Sequence, residues 1–154
     1  MAVATQEVFS HTGSQVEIWD IGAAAPARTL VKRGSRFGVT LTNTSDLSTE
    51  DEIEIGPYTV SRVKPGGVGN DKATAIDATQ AAPVAVDGTW EFEGIVSSGT
   101  TPVPTSTPQG TPVYAKNSGG DLTLESDSAT KVGEVNYPAT YEKVAGTLPI
   151  KIGV

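Results

Sequence analysis

The chain has 154 residues, with 18 acidic and 11 basic side chains, one histidine and no cysteine, for a formal net charge of −7. That length accommodates one domain with a real core. The charge disfavours nucleic acid and anionic membrane as partners, and the absence of thiols excludes disulfides and thiolate metal sites. Hydrophobic residues make up 37%, and 17 Gly with 10 Pro punctuate the chain. The mix is too apolar for full disorder and too rich in turn formers for a helical bundle, so the expectation is an all-β fold, a small antiparallel sandwich or barrel.

Residues 1–14 are polar and carry no strong periodicity, which reads as a flexible N-terminal arm ahead of a β domain over 15–154. The start holds neither a basic region nor an apolar run, so no signal peptide is expected, and no stretch approaches the roughly 20 apolar residues of a membrane helix. A soluble protein made in the cytoplasm is the expectation. Residues 15–21 alternate Val16, Ile18 and Asp20 against Glu17, Trp19 and Ile21, a first strand with both faces partly covered. Ala23-Ala24-Ala25-Pro26 allows at most a short helical turn. Arg28, Lys32, Arg33 and Arg36 gather four of the 11 basic residues in a stretch without acids between Ile21 and Ser45. That pattern suits a solvated hairpin flank or a docking patch for an acidic surface; without interleaved aromatics it does not suit DNA. Residues 36–42 read as the next strand, with Phe37, Val39 and Leu41 on one face.

Residues 43–50 form a polar loop. Two alternating stretches, 52–55 and 58–63, flank Gly56-Pro57 and predict a long hairpin, or a bent strand with a bulge there. A glycine-rich turn follows over 65–71, and 72–82 is Ala- and Thr-rich and ambiguous. Val84 and Val86 lead into Asp87-Gly88, a two-residue hairpin signal, and Trp90 and Phe92 then alternate with Glu91 and Glu93. Residues 97–109 are a Pro/Ser/Thr-rich loop expected to have no packed core of its own. The remainder is strand-like: 111–116, a Gly119-Gly120 turn, Leu122 and Leu124, 131–135, and 148–154. The expected core is Phe37, Val39, Leu41, Ile53, Ile55, Val86, Trp90, Phe92, Val113, Leu122, Leu124, Val135 and Ile150.

Catalytic chemistry finds little to work with. The lone His11 sits in the expected arm, which leaves no nucleophile–histidine pair. Glu91 and Glu93 share a strand face roughly 7 Å apart, but their alternation with Trp90 and Phe92 assigns them to solvent. Gly66-Gly67-Val68-Gly69-Asn70 lacks the lysine and hydroxyl residue of a phosphate-binding loop. No Asp-rich loop has calcium-ligand spacing. Trp19, Trp90 and Tyr114 could form a sugar-stacking platform. The expectation is a protein that is not an enzyme, with no catalytic, cofactor or metal residues.

Several motifs carry a family resemblance: Gly56-Pro57-Tyr58-Thr59-Val60, Val86-Asp87-Gly88-Thr89-Trp90-Glu91-Phe92, Gln109-Gly110-Thr111-Pro112-Val113-Tyr114 and Leu122-Thr123-Leu124. The closing runs Val132-Gly133-Glu134-Val135-Asn136-Tyr137-Pro138 and Ala145-Gly146-Thr147-Leu148-Pro149-Ile150-Lys151-Ile152-Gly153-Val154 extend them. In this order they resemble the head decoration proteins of tailed phages, especially the acidic, cysteine-free β proteins of phages infecting actinobacteria. Small capsid cement proteins with a compact barrel look similar but lack the extended N-terminal third. The resemblance implies a virion protein on the outer face of the expanded capsid. Its partners would be the major capsid protein and itself, as a homotrimer seated where capsomers meet, with no nucleic acid, membrane or cofactor. A strand-adding arm and the basic cluster make Val3, Thr5, Val8, Phe9, Arg28, Lys32, Arg33 and Arg36 the candidate capsid contacts. The alternative is a β-sandwich binding module of a phage tail or fibre, with carbohydrate among its candidate ligands.

Overall fold

A computed structural model describes residues 1–13, 16–48, 50–63 and 77–154. The glycine-rich turn expected over 65–71, the first part of the ambiguous stretch 72–82, and Gln15 lie outside them. The described residues are all β, as expected. Fourteen strands are β1 (Ala4–Phe9), β2 (Val16–Asp20), β3 (Leu30–Arg33), β4 (Arg36–Thr40), β5 (Glu50–Ile55), β6 (Tyr58–Val63), β7 (Ala81–Ala85), β8 (Thr89–Phe92), β9 (Val96–Ser98), β10 (Thr101–Pro102), β11 (Pro112–Lys116), β12 (Leu122–Thr123), β13 (Ala129–Val135) and β14 (Leu148–Ile152). An eight-stranded sheet runs β1-β8-β14-β13-β11-β12-β9-β10, a four-stranded sheet runs β2-β7-β4-β3, and β5-β6 stand as a pair. Pairing is antiparallel except where β12 meets β9.

The two larger sheets share one core. Leu30, Phe37, Val39 and Ala85 of the smaller sheet pack among Trp90, Phe92, Val113, Leu122, Val135 and Ile150 of the larger. These residues are spaced two apart along their strands, so the inner faces are apolar for the reason the alternation predicts. The other face of the small sheet carries a satellite cluster of Trp19, Val31, Val84 and Val86. Trp19 reaches to Gly38, where an added Cβ would meet Val84 at 2.3 Å. Its indole N–H donates to Glu17 and the Arg33 guanidinium sits 6.0 Å over its ring, which covers an otherwise open apolar face.

Three expectations are corrected and a fourth is refined. The first concerns residues 1–14, which are not a free arm over their length: β1 lies antiparallel to β8, and Ala4 is buried. On the other side of the chain the Ala4 N–H donates to the Arg28 carbonyl at 2.8 Å, and the Leu30 N–H donates to the Ala2 carbonyl at 2.8 Å. The segment is polar because one strand face is solvated, and its partners lie far away in sequence, where local periodicity cannot reveal them.

The second concerns Asp87-Gly88, which does not close a hairpin. β7 belongs to the small sheet and β8 to the large one, so the turn is a corner where the chain changes sheets. Gly88 takes φ +92°, and the corner is tied down from three sides. The Asp87 carboxylate accepts from the Thr12 N–H, its carbonyl accepts from the Trp90 indole, and the Gly88 carbonyl accepts from the Ile152 N–H. Competition from these distant segments replaces the local ladder.

The third concerns the core. Ile55 is 57% exposed and Ile53 only half-buried, because β5 and β6 pair with each other and with no other described strand. Leu41 and Leu124 are partly buried against the core, and the other expected core residues are buried. The fourth concerns the 97–109 loop, which has no core of its own but contributes to the common one. It contains β10 and a fully buried Val103, whose N–H donates to the Ile95 carbonyl.

Two predictions follow from these contacts. Deleting residues 2–9 should lower the melting temperature by about 10 °C or more, since losing β1 removes ~3 kcal/mol or more of pairing and burial. Thermal unfolding followed by circular dichroism measures this. Gly133 lies where a Cβ would sit 2.0 Å from the Lys151 carbonyl oxygen. Gly133→Ala should therefore cost about 3 kcal/mol or more, because only backbone movement can relieve the overlap; urea titration reads that loss.

Candidate functional site

The eight candidate contact residues do not form one surface. Val3 bridges antiparallel to Thr29, and β1 and β3 diverge from that bridge in opposite directions. Thr5, Val8 and Phe9 follow the bridge along β1, at the edge of the large sheet. Lys32 and Arg33 follow it the other way along β3, at the edge of the small sheet, with Arg36 paired across from Arg33. Val3 and Phe9 are exposed, and Val8 is half-buried.

Arg28 has a structural task. It holds φ +67°, a left-handed conformation that costs a non-glycine residue roughly 1 kcal/mol or more. Its N–H donates to the Thr40 carbonyl, its carbonyl accepts from Ala4, and its guanidinium donates to the Thr5 carbonyl at 2.7 Å. This residue therefore fastens β1 to the small sheet. Lys32 donates to the Thr130 hydroxyl at 2.9 Å and lies 5.7 Å over the Phe37 ring. Arg36 pairs with Glu17 at 2.9 Å, an exposed contact worth little in water.

Beside Lys32 opens a cleft of about 270 Å³ floored by Leu30, Phe37 and Ala115 and rimmed by Met1, Lys32 and Lys116. A larger cleft of about 460 Å³ lies between Arg36, Asp87 and Lys131. Both of its cations already hold acids, Arg36 with Glu17 and Lys131 with Glu134.

The β5-β6 pair is the long hairpin expected on either side of Gly56-Pro57, but its apolar face does not enter the core. Its register sets Ile53 opposite Val60 and Ile55 opposite Tyr58, so these four share one face. Glu52 opposite Ser61 and Glu54 opposite Thr59 share the other. Gly56, at φ +60°, occupies the first position of the two-residue turn, as a II′ hairpin requires, so no bulge is needed. Ile55, Tyr58 and Val60 are 57%, 70% and 41% exposed, an apolar face left in water. The alternation that signalled core was real; it does not say which apolar face finds a partner within the chain.

The proposed sugar platform is not built from the residues named for it. Trp19 and Trp90 are 1% and 3% exposed, and Tyr114 is half-buried. Glu91 and Glu93 also part company. Glu93 is exposed, whereas Glu91 is half-buried and accepts from the Thr5 hydroxyl and, at 2.5 Å, from the Tyr141 hydroxyl. Partial burial pushes the Glu91 carboxyl up, but hydrogen bonds from Thr5, Tyr141 and Gln6 together outweigh it and hold the group below its ordinary range. Burial, reinforced by the Glu91 charge, pushes the Tyr141 hydroxyl well above the usual phenol value. The trio ties β1 to the segment before β14, which is a structural latch. Among the described residues no group of three or more His, Asp and Glu could hold a metal ion.

A carboxyl depressed in the fold contributes stability that is present above its unfolded pKa, near 4.5, and is lost as pH falls through the folded value. Wild-type stability should therefore fall below about pH 4.5, and Glu91→Gln should be less stable at pH 7 with a shallower loss in acid. Equal slopes for the two proteins between pH 6 and the acid range would remove Glu91 from that role.

Comparison of the chain with protein-family models, curated proteins and solved structures finds no match in any of the three.

Proposed function

We propose that the chain is a capsid decoration protein, which binds the outer face of an expanded phage head, spans the junctions between capsomers and holds them together. The major capsid protein is its partner, and it acts as a homotrimer. Motif resemblance supports this reading, and the observation that carries it is the edge of β1. Past the stitch at Ala2–Ala4 and the Arg28 bond to the Thr5 carbonyl, the outer side of residues 6–9 has no described strand beside it, and the exposed Phe9 and half-buried Val8 lie along it. A preformed open edge accepts a strand from another protein through main-chain hydrogen bonds, and it does so without the ordering cost that a coil arm incurs. The stitch keeps that edge in place before the partner arrives. Weak contacts of this kind suffice on a shell, because many equivalent sites multiply a modest energy per copy.

Purified protein mixed with expanded, undecorated heads of an actinobacterial phage should bind saturably and raise the temperature at which the heads rupture. Phe9→Lys places charge on the open edge, which blocks strand addition. It should cut occupancy at least tenfold while leaving the melting temperature of the protein unchanged. Absence of saturable binding by the wild-type protein defeats the decoration reading and favours a tail or fibre module. Undiminished binding by the variant defeats the edge contact alone.

A further inference from the structure

The β5-β6 hairpin and the Lys32–Lys116 cleft are complementary surfaces carried by one chain. We propose that the hairpin tip of one copy seats in this cleft on a second copy, so that subunits join head to tail. The tip presents Ile55 and Tyr58, directly opposite each other beside the Gly56-Pro57 turn, with Glu52 and Glu54 on the reverse face. The cleft offers an apolar floor of Leu30, Phe37 and Ala115, and the charged side chains on its rim are Lys32 and Lys116. At about 270 Å³ it has room for more than one side chain, since a protein cavity of roughly 150 Å³ takes a benzene ring.

Charge selects the occupant. The chain carries −7 overall, and β5 alone holds Glu50, Glu52 and Glu54. A partner for this hairpin therefore needs an apolar seat with a basic rim, and this protein has one. Inserted tip first, the hairpin buries Ile55 and Tyr58 on the floor and brings Glu52 and Glu54 to the lysines. Lys32 is already oriented by its bond to the Thr130 hydroxyl and retains two further N–H donors. The contact uses two different patches, so it propagates around a ring until the ring closes. It does not involve the open edge of β1, so subunit joining and shell binding use separate surfaces and fail separately.

Complementary defects test this in solution, with no capsid present. Sedimentation equilibrium up to sub-millimolar concentration should show wild-type protein in a closed oligomer. Ile55→Ser/Tyr58→Ser, which lacks the tip, and Lys32→Glu/Lys116→Glu, which lacks the rim, should each associate at least tenfold more weakly. Mixed in equal amounts, the two variants should form a dimer that grows no further, because one intact tip meets one intact cleft and no second pair remains. A second route covers the case in which the rim variant is unstable. The chain has no native cysteine, so Pro57→Cys/Asn117→Cys, which keeps Ile55 and Tyr58, should form disulfides between copies on mild oxidation at least tenfold faster than a control with Thr105→Cys in place of Asn117→Cys. Monomeric wild-type protein, a mixture that stays monomeric, or cross-linking no faster than the control would each overturn the proposal.

Discussion

Two backbone hydrogen bonds, Ala4 N–H to the Arg28 carbonyl and Leu30 N–H to the Ala2 carbonyl, join what would otherwise be two separate sheets. Everything else in the fold is arranged around that seam. β1 belongs to the large sheet through β8, yet its first residues continue the small sheet beyond β3. Apolar side chains between the layers favour stacking but fix neither rotation nor offset, because hydrophobic burial is non-directional. Hydrogen bonds are directional, so the seam supplies the registration. The left-handed Arg28 backbone is the cost of bringing its carbonyl and guanidinium to the seam while its N–H holds Thr40.

A second set of contacts works from the far end of β1. His11 stacks over Trp90 with centroids 6.0 Å apart, and its Nδ1 lies 2.8 Å from Glu7. The Thr12 N–H reaches the Asp87 carboxylate at the sheet-changing corner. Glu91 adds the link to Tyr141. The N-terminal segment is thus fastened at its start by backbone hydrogen bonds and Ala4 burial, and further along by hydrogen bonds to the Glu91 and Asp87 carboxylates.

How legible this was in the sequence depended on distance along the chain. Period-two alternation located β4, β5, β6, β8, β11, β13 and β14, because facing is a local property of an extended backbone. Phe37, Val39, Trp90, Phe92, Val113 and Ile150 were accordingly recognisable as core. Pairing is not local. Asp87-Gly88 carries the residues of a tight turn whether the flanking strands pair or part, and only the reach of Thr12 and Ile152 decides between them. The same limit hid β1, whose partner lies eighty or more residues away. At the candidate contacts the residues were identifiable and their grouping was not, since Arg28 turned inward to the seam while Lys32 and Arg33 stayed on a sheet edge.

The hairpin enters the fold through a closed root. β4 and β7 are antiparallel neighbours in one sheet, yet forty residues intervene between Thr40 and Ala81. The excursion is closed at its root by the reciprocal Ser45–Ala81 bonds and by the Leu47 N–H to the Ala78 carbonyl. A root closed in this way makes the segment a cassette. Its length and sequence can change by insertion, deletion or exchange while β4 and β7 keep their register, and the loop-closure cost rises only slowly with added length. A change at the tip can thereby leave the packing of the two sheets beneath untouched.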